Sequence, residues 1–519
     1  MALPTGDVVA FIDLGTNSVR LLVVRIASAH AYAVITQQKE MVRLGEGEFV
    51  AGQLQPAAIG RTVQVCRQFA ELARSYGARE IMAVATAATR EARNRGELLE
   101  ALRDEAGIDM RTISGLEEAR LTYLGIASGV HLGGRTAAFI DVGGGSTEII
   151  IGDQRQYTDL DSIRAGAVRL ATLFTAGSEA PVGVELYEAM RRYVRNAAMR
   201  VTQRLRAHPA SVAFGSSGTI ENLAAVSARA LHNRRPIRHE TLTRADLGKA
   251  AELLRGLPLE ERRKVPGLTP ERADIIVPGA AILETVMDEL KLKAIHVSER
   301  GLREGLLQDY LAREFAGESV PELSVRGQSV LRLAHACNAD TDHAARVSGL
   351  ALALFDSARE AGLHALGEWE RELLEWTGYL HDVGAFLSYT NHHEHSYYII
   401  RHADLLGFDQ LELSIMAATA FFHRRTFPRK RHPEFAALDD RAQCIVRVLC
   451  VLLRIAESLD RSHAGLVTGA RFLPAGKKDI VLQLTAPLGC QMELWGVEHH
   501  ADAVMKAFGR KMTVEVEGL

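Results

Sequence analysis

Between residues 8 and 50 apolar and polar side chains alternate with the period of two that a half-buried strand requires, which predicts three to five strands. The period then lengthens. Ile59, Val63, Cys66, Phe69 and Leu72 recur at helical spacing over 56–76, and Gly77 ends the run. Ile81 to Ala85 reads as another strand, running into Thr86-Ala87-Ala88-Thr89-Arg90 and a helix through Leu102. Ser114 is placed to cap the next helix, with Glu117 three residues on as its capping-box partner, and this leaves Glu118 without a structural duty. The apolar run Ala137 to Ile140 carries Asp141 at its end, passes through Gly143-Gly144-Gly145-Ser146-Thr147-Glu148 and leaves as Ile149-Ile150-Ile151, the pattern of strand, tight loop, strand. Val212-Ala213-Phe214 leads into Gly215-Ser216-Ser217-Gly218-Thr219, a strand-to-loop element that opens a helix, and Ala294 to Val297 precedes another loop and helix. Repetition of such units to about residue 310 predicts an α/β architecture. From about 318 strand signals vanish and helical stripes such as Val347, Leu350, Ala351 and Leu354 take over; from about 467 alternation returns, at 478–484 and 511–516, as a small terminal α+β unit. The changes set off 318–466 and 467–519 from the α/β part, with the main boundary in Phe315 to Pro321.

Composition narrows the classes. The 519 residues are 47% hydrophobic and 24% charged, ordinary for a globular protein with ample core. A net charge of −3 supplies no whole-molecule attraction to nucleic acid or to an anionic membrane, so polyanion binding has to come from local patches. No uncharged run approaches a membrane span, and the N-terminal residues lack a basic leader. Five scattered cysteines without CxxC spacing predict reduced thiols in a cytoplasmic protein.

The loop at 141–148 carries the first chemistry. Glycines permit close backbone approach and successive inward N–H groups, the makings of a phosphate nest, and it is flanked by Asp141 and Glu148, carboxylates of the kind that serve Mg²⁺ beside phosphate. It is not a Walker A loop. Residues 10–18, Ala-Phe-Ile-Asp-Leu-Gly-Thr-Asn-Ser, repeat residues 138–146, Ala-Phe-Ile-Asp-Val-Gly-Gly-Gly-Ser, so that Asp13 matches Asp141, Gly15 matches Gly143 and Ser18 matches Ser146. Either loop alone also reads as a plain hairpin; two copies predict duplicated domains facing each other across a phosphate. The Gly215–Thr219 loop could hold a further phosphate, or a nucleotide, at its helix N-terminus.

DLGTNS at 13–18, ATAATR at 85–90, SGLEEARL at 114–121, DVGGGSTE at 141–148, GSSGT at 215–219 and SERGLREG at 298–305 together resemble the exopolyphosphatase/guanosine pentaphosphate phosphohydrolase (Ppx/GppA) family. The resemblance implies two actin/Hsp70-like (ribonuclease H-like) domains, 1–132 and 133–317, and the rest is similar to the long bacterial members, in which an HD-type helical domain and a small terminal domain follow. It implies Glu118 as catalytic base, Asp141 and Glu148 as the residues that hold Mg²⁺ (or Mn²⁺) and orient water, and Asn17, Ser18, Arg90, Gly144, Gly145 and Ser146 as phosphate contacts; Asp13, Thr16, Gly143 and the Gly215, Ser216, Ser217, Gly218, Thr219 loop join them as expected phosphate-binding residues. The implied substrates are inorganic polyphosphate, guanosine pentaphosphate, or both, and the implied assembly is a homodimer. Two other functions compete: an actin-like ATP-binding regulator, and a nucleotide phosphohydrolase centred on the helical region.

That region holds eleven of the 19 histidines, between 335 and 463. His343, the His381-Asp382 pair and Asp460 follow the order of an HD signature, and His395 and His423 could add ligands for a second divalent metal. Beside His423, the run Arg424, Arg425, Arg429, Lys430 and Arg431 is read as a path for a polyanion, against the plainer reading of a solvated surface.

Overall fold

The structure, a computed structural model, describes residues 6–27, 32–315, 325–403, 405–424, 426–476, 478–486 and 489–518. The chain divides into two compact units, Met1–Val320 and Pro321–Leu519. The boundary segment at 315–321 lies almost wholly outside the described residues, as does Arg425.

The first unit contains two sheets of related topology. Strands β1 (Asp7–Leu14), β2 (Ser18–Ile26), β3 (Tyr32–Met41), β4 (Ala78–Ala85) and β5 (Met110–Thr112) assemble in the order β3-β2-β1-β4-β5. Strands β6 (Ala137–Val142), β7 (Thr147–Gly152), β8 (Tyr157–Ile163), β9 (Val212–Ser216), β10 (Thr241–Thr243) and β11 (Ala294–Val297) assemble as β10-β11-β9-β6-β7-β8. In each, a three-stranded antiparallel meander meets parallel strands, with β1 beside β4 in one and β6 beside β9 in the other. The duplication read from the two loops therefore extends to five strands of each sheet, and the antiparallel β10 is an addition at the edge of the second.

Both central strands are buried on both faces, which is why they read as continuous apolar runs. Val8, Ala10 and Ile12 enter one core with Val63, Cys66 and Phe69 of the helix α1 (Pro56–Ser75). Val9 and Phe11 enter the other, with Leu121 of α2 (Gly115–Ala127) and Leu302, Leu306 and Tyr310 of α6 (Leu302–Glu314). Between them in sequence lie α3 (Val184–Leu205), α4 (Gly218–Val226) and α5 (Ile276–Glu289). The alternation over 8–50 forms three strands followed by a short helix, Glu48–Ala51. Helix α5, to which the periodicity gives no signal, is buried from Ile276 to Met287 and so has no polar face to register.

Helices α2 and α6 touch backbone to backbone. A Cβ on Gly305 would stand 1.8 Å from the Leu121 carbonyl oxygen, and one on Gly125 would stand 1.9 Å from that of Gly301. Gly305→Ala should therefore force the helices apart and cost about 3 kcal/mol of stability, read as a lowered denaturation midpoint. An unchanged midpoint would mean that the crossing yields easily.

The second unit is helical: α7 (Val325–Ala336), α8 (Thr341–Glu360), α9 (Glu368–Leu380), α10 (His392–His402), α11 (Gln410–Phe421) and α12 (Asp440–Leu459). The terminal stretch forms β12 (Gly469–Pro474), β13 (Asp479–Thr485), helices α13 (Gln491–Glu498) and α14 (Ala501–Phe508), and β14 (Lys511–Glu517), with β13 central. Its Phe472, Ile480 and Leu482 join the same core as Leu354 and Phe355 of α8.

Candidate functional site

The two glycine loops fold alike. Gly15 N–H donates to the Ser18 carbonyl and Gly143 N–H to that of Ser146, both at 3.0 Å, so each strand pair turns on the same hydrogen bond. Gly143 is thereby occupied in the turn, and the N–H groups of Gly144, Gly145 and Ser146 are the ones left for an anion. The glycines serve close approach, since none of Gly143, Gly144 and Gly145 has positive φ. A Cβ on Gly144 would lie 2.8 Å from Thr16 Cβ, and one on Gly145 would lie 2.6 Å from Ala87 Cβ. The loops of the two halves thus meet face to face, and the cleft between them is lined by Asp13, Thr16, Asn17, Ser18, Glu118, Asp141, Gly143 to Ser146 and Glu148. Arg169 ties the halves together: its Nε donates to the Gly145 carbonyl at 2.7 Å, its Nη2 pairs with Glu91 at 2.7 Å, and its guanidinium stacks 4.1 Å from the Phe49 ring centroid.

Four carboxylates share this buried cleft. Burial pushes Asp13 up to about 6, against the opposing charge of Arg20. Burial likewise pushes Glu118 up to about 7, although Arg90 Nη1 sits 3.0 Å from its Oε2. Asp141 and Glu148 are raised too, by burial first, with Glu118 and Asp141 adding repulsion at Glu148. Ser216 Oγ donates to Asp141, and Ser162 Oγ donates to Glu148 Oε1 at 2.7 Å. Acids held together out of water form a donor set that suits a hard divalent cation, which takes one or two carboxylates and completes its shell with water and phosphate oxygens.

Other expectations shift. Ser114 caps α2 through the Glu117 N–H, but the Glu117 carboxylate turns to Arg120 at 2.9 Å instead of closing a capping box. Arg90 is held by Glu118 and the Ile113 carbonyl. In the third loop Ser217, Gly218 and Thr219 line the cleft; Gly215 packs against Ile220 and Ile295, and Ser216 acts on Asp141. Ser217 adopts φ 95°, a left-handed conformation that a serine holds only under constraint. Two cleft arginines escape the sequence reading. Arg20 lies on β2, where a charge within an apolar run is the available signal, and Arg272 lies against Gly218, with burial and the Arg20 charge lowering its pKa. Two like charges facing one cavity are the usual provision for an anion.

In the second unit His343, His381, Asp382 and His423 converge, and His392 joins them. His395 stays outside these groups. Asp460 accepts from His343 Nδ1 at 2.8 Å, from Arg346 Nε at 2.8 Å and from the Gly465 N–H. Arg424 is turned toward His392, 3.3 Å from its Nε2, while Arg429, Lys430 and Arg431 are exposed. No helix among the described residues is long and apolar enough to cross a membrane.

A duplicated sheet with phosphate-sized loops facing across an acidic cleft defines an actin-like phosphate-handling enzyme. The family model of the Ppx/GppA phosphatases matches residues 22–314 and that of their domain III matches 325–494, and the chain belongs to this family. Among solved structures, an exopolyphosphatase from Cytophaga hutchinsonii is 25% identical, with a TM-score of 0.55 over 59% of this chain and 98% of its own. The Aquifex aeolicus member of the Ppx/GppA family is 28% identical, with a TM-score of 0.51 over 60% of this chain and 99% of its own. Membership makes the protein a hydrolase of phosphate compounds.

Proposed function

We propose that the cleft of the first unit removes the terminal orthophosphate of inorganic polyphosphate. The convergence of Glu118 with both phosphate loops and three further carboxylates carries this reading. Asp141 and Glu148 would hold Mg²⁺ (or Mn²⁺), which when bound neutralises charge on the transferring phosphoryl group. The N–H groups of Gly144, Gly145 and Ser146, with Thr16, Asn17 and Ser18 opposite, grip the terminal phosphate. Glu118 accepts a proton from water as its oxygen bonds to the terminal phosphorus; the bond to the bridging oxygen breaks and the shortened chain leaves. A base near 7 suits that transfer. Arg20 and Arg272 would hold inner phosphates, and Arg272→Ala should raise KM about tenfold with little change in kcat. A fall in kcat with KM unchanged would remove Arg272 from this role.

Guanosine pentaphosphate ends in the same anhydride and is the second reading, since the groups that act on the terminal phosphate are common to both. The test is orthophosphate release from each substrate with Mg²⁺. Turnover of long chains at higher kcat/KM supports the first reading, turnover of the nucleotide supports the second, and turnover of neither overturns both.

A further inference from the structure

We propose that the second unit binds two divalent transition-metal ions bridged by the Asp382 carboxylate, one with His343 and His381 and the other with His392 and His423. Within each triad the ligand atoms lie within 4.8 Å of one another. The five side chains come from ends of four helices: His343 from the first turn of α8, His381 and Asp382 from just beyond α9, His392 from the start of α10 and His423 from just beyond α11.

The argument rests on which ring nitrogen each histidine presents. His381 Nδ1 donates to the Gly378 carbonyl at 2.7 Å, His392 Nδ1 to that of Tyr389 at 3.0 Å, and His423 Nδ1 to that of Ala420 at 2.5 Å. His343 Nδ1 donates to Asp460 at 2.8 Å. A carbonyl or carboxylate can only accept, so every Nδ1 carries the hydrogen and every neutral ring turns a bare Nε2 lone pair inward. Those lone pairs face one another and a carboxylate. His392 Nε2 lies 3.4 Å from His423 Nε2, and Asp382 Oδ1 lies 3.0, 3.4 and 3.7 Å from the Nε2 atoms of His392, His423 and His381. The Nε2 atoms of His343 and His381 are buried with no hydrogen-bond partner, in side chains 3% and 1% exposed. Arg424 reaches only His392, 3.3 Å from its Nε2, so the other facing acceptors call for metal cations between them or for protons on the rings. Carbonyl or carboxylate anchoring of the far nitrogen is the arrangement that orients histidine on a metal, and a mostly imidazole set selects Zn²⁺, Fe²⁺ or Co²⁺ over Mg²⁺. Asp460, anchored by Arg346, serves as the orienting carboxylate of His343. Asp382, 30% exposed, leaves the pair open to solvent for metal entry.

The competing arrangement is protonated imidazolium rings around Asp382, which needs no metal. The test uses the full chain, stripped with chelator, reloaded with Zn²⁺ in excess Mg²⁺ and freed of loose metal, with zinc counted by mass spectrometry. Two zinc ions per chain are expected in the wild type, about one in His392→Ala/His423→Ala, and two in Glu148→Gln, since the acidic cleft is a separate site. The wild-type count needs no variant to fold. Less than one zinc per chain in the wild type would overturn the proposal, and a single tightly held zinc would overturn the pair. A count unmoved by the double substitution would place the zinc elsewhere. None of these outcomes depends on the hydrolytic reading of the first unit.

Discussion

Glutamine in place of Glu148 should lower phosphate release by about a thousandfold or more and yet raise the melting temperature of the metal-free protein above neutral pH. Glu148 is buried, and burial with the neighbouring Glu118 and Asp141 charges holds its carboxyl well above the usual range. A raised folded-state pKa means that the native protein keeps a proton which the unfolded chain gives up. The stabilisation is whole below the unfolded value and is lost as pH rises through the folded one. With Asp13 at about 6 and Glu118 at about 7, their share of the loss should develop up to about neutrality, and Glu148 adds to it as pH rises through its own raised value. Glutamine keeps the hydrogen bond to Ser162 and removes one of the crowded charges. In chelator, the wild type should melt lower at about pH 8 than at about pH 5.5, and the variant should lose part of that dependence. Each recovered kcal/mol is worth about 1.5 °C in a unit of this size. Mg²⁺ should stabilise the wild type more than the variant at the higher pH. A variant that melts below the wild type throughout would show that the carboxylates do not repel in the native cleft.

Glu118→Gln should lower kcat by about a thousandfold while KM stays within about threefold. Glutamine has nearly the shape of glutamate and can still accept from Arg90, but it cannot take a proton from water. The wild-type rate should rise with pH through about 7, as burial keeps Glu118 protonated below that point, and the variant's residual rate should lack this limb. Equal losses in kcat and substrate binding would instead describe a cleft that has come apart.

Much of this site is local in sequence, and that part was legible. The Asp-x-Gly turns recur because the hairpin bond from Gly15 to Ser18, and from Gly143 to Ser146, sits within four residues. Glu118 stood out because Ser114 accounts for the start of α2, although Glu117 then turned to Arg120. Groups that tertiary packing delivers were not legible. Arg272 reaches the cleft from a short turn at 270–272, and Arg169 crosses to Glu91 and Phe49 in the other half. In the His392-His393-Glu394-His395 run, His392 and His395 share a helix face, and only the start of α10 after Asn391, at φ 58°, shows that His392 is the one turned inward with His423.

The deciding measurement is orthophosphate release from long-chain polyphosphate and from guanosine pentaphosphate, with Mg²⁺, by wild type and Glu118→Gln in parallel. Release by the wild type from at least one substrate, and its loss by about a thousandfold in the variant, is the expected result. Release by Glu118→Gln within about tenfold of the wild type would contradict it and move the chemistry out of the acidic cleft.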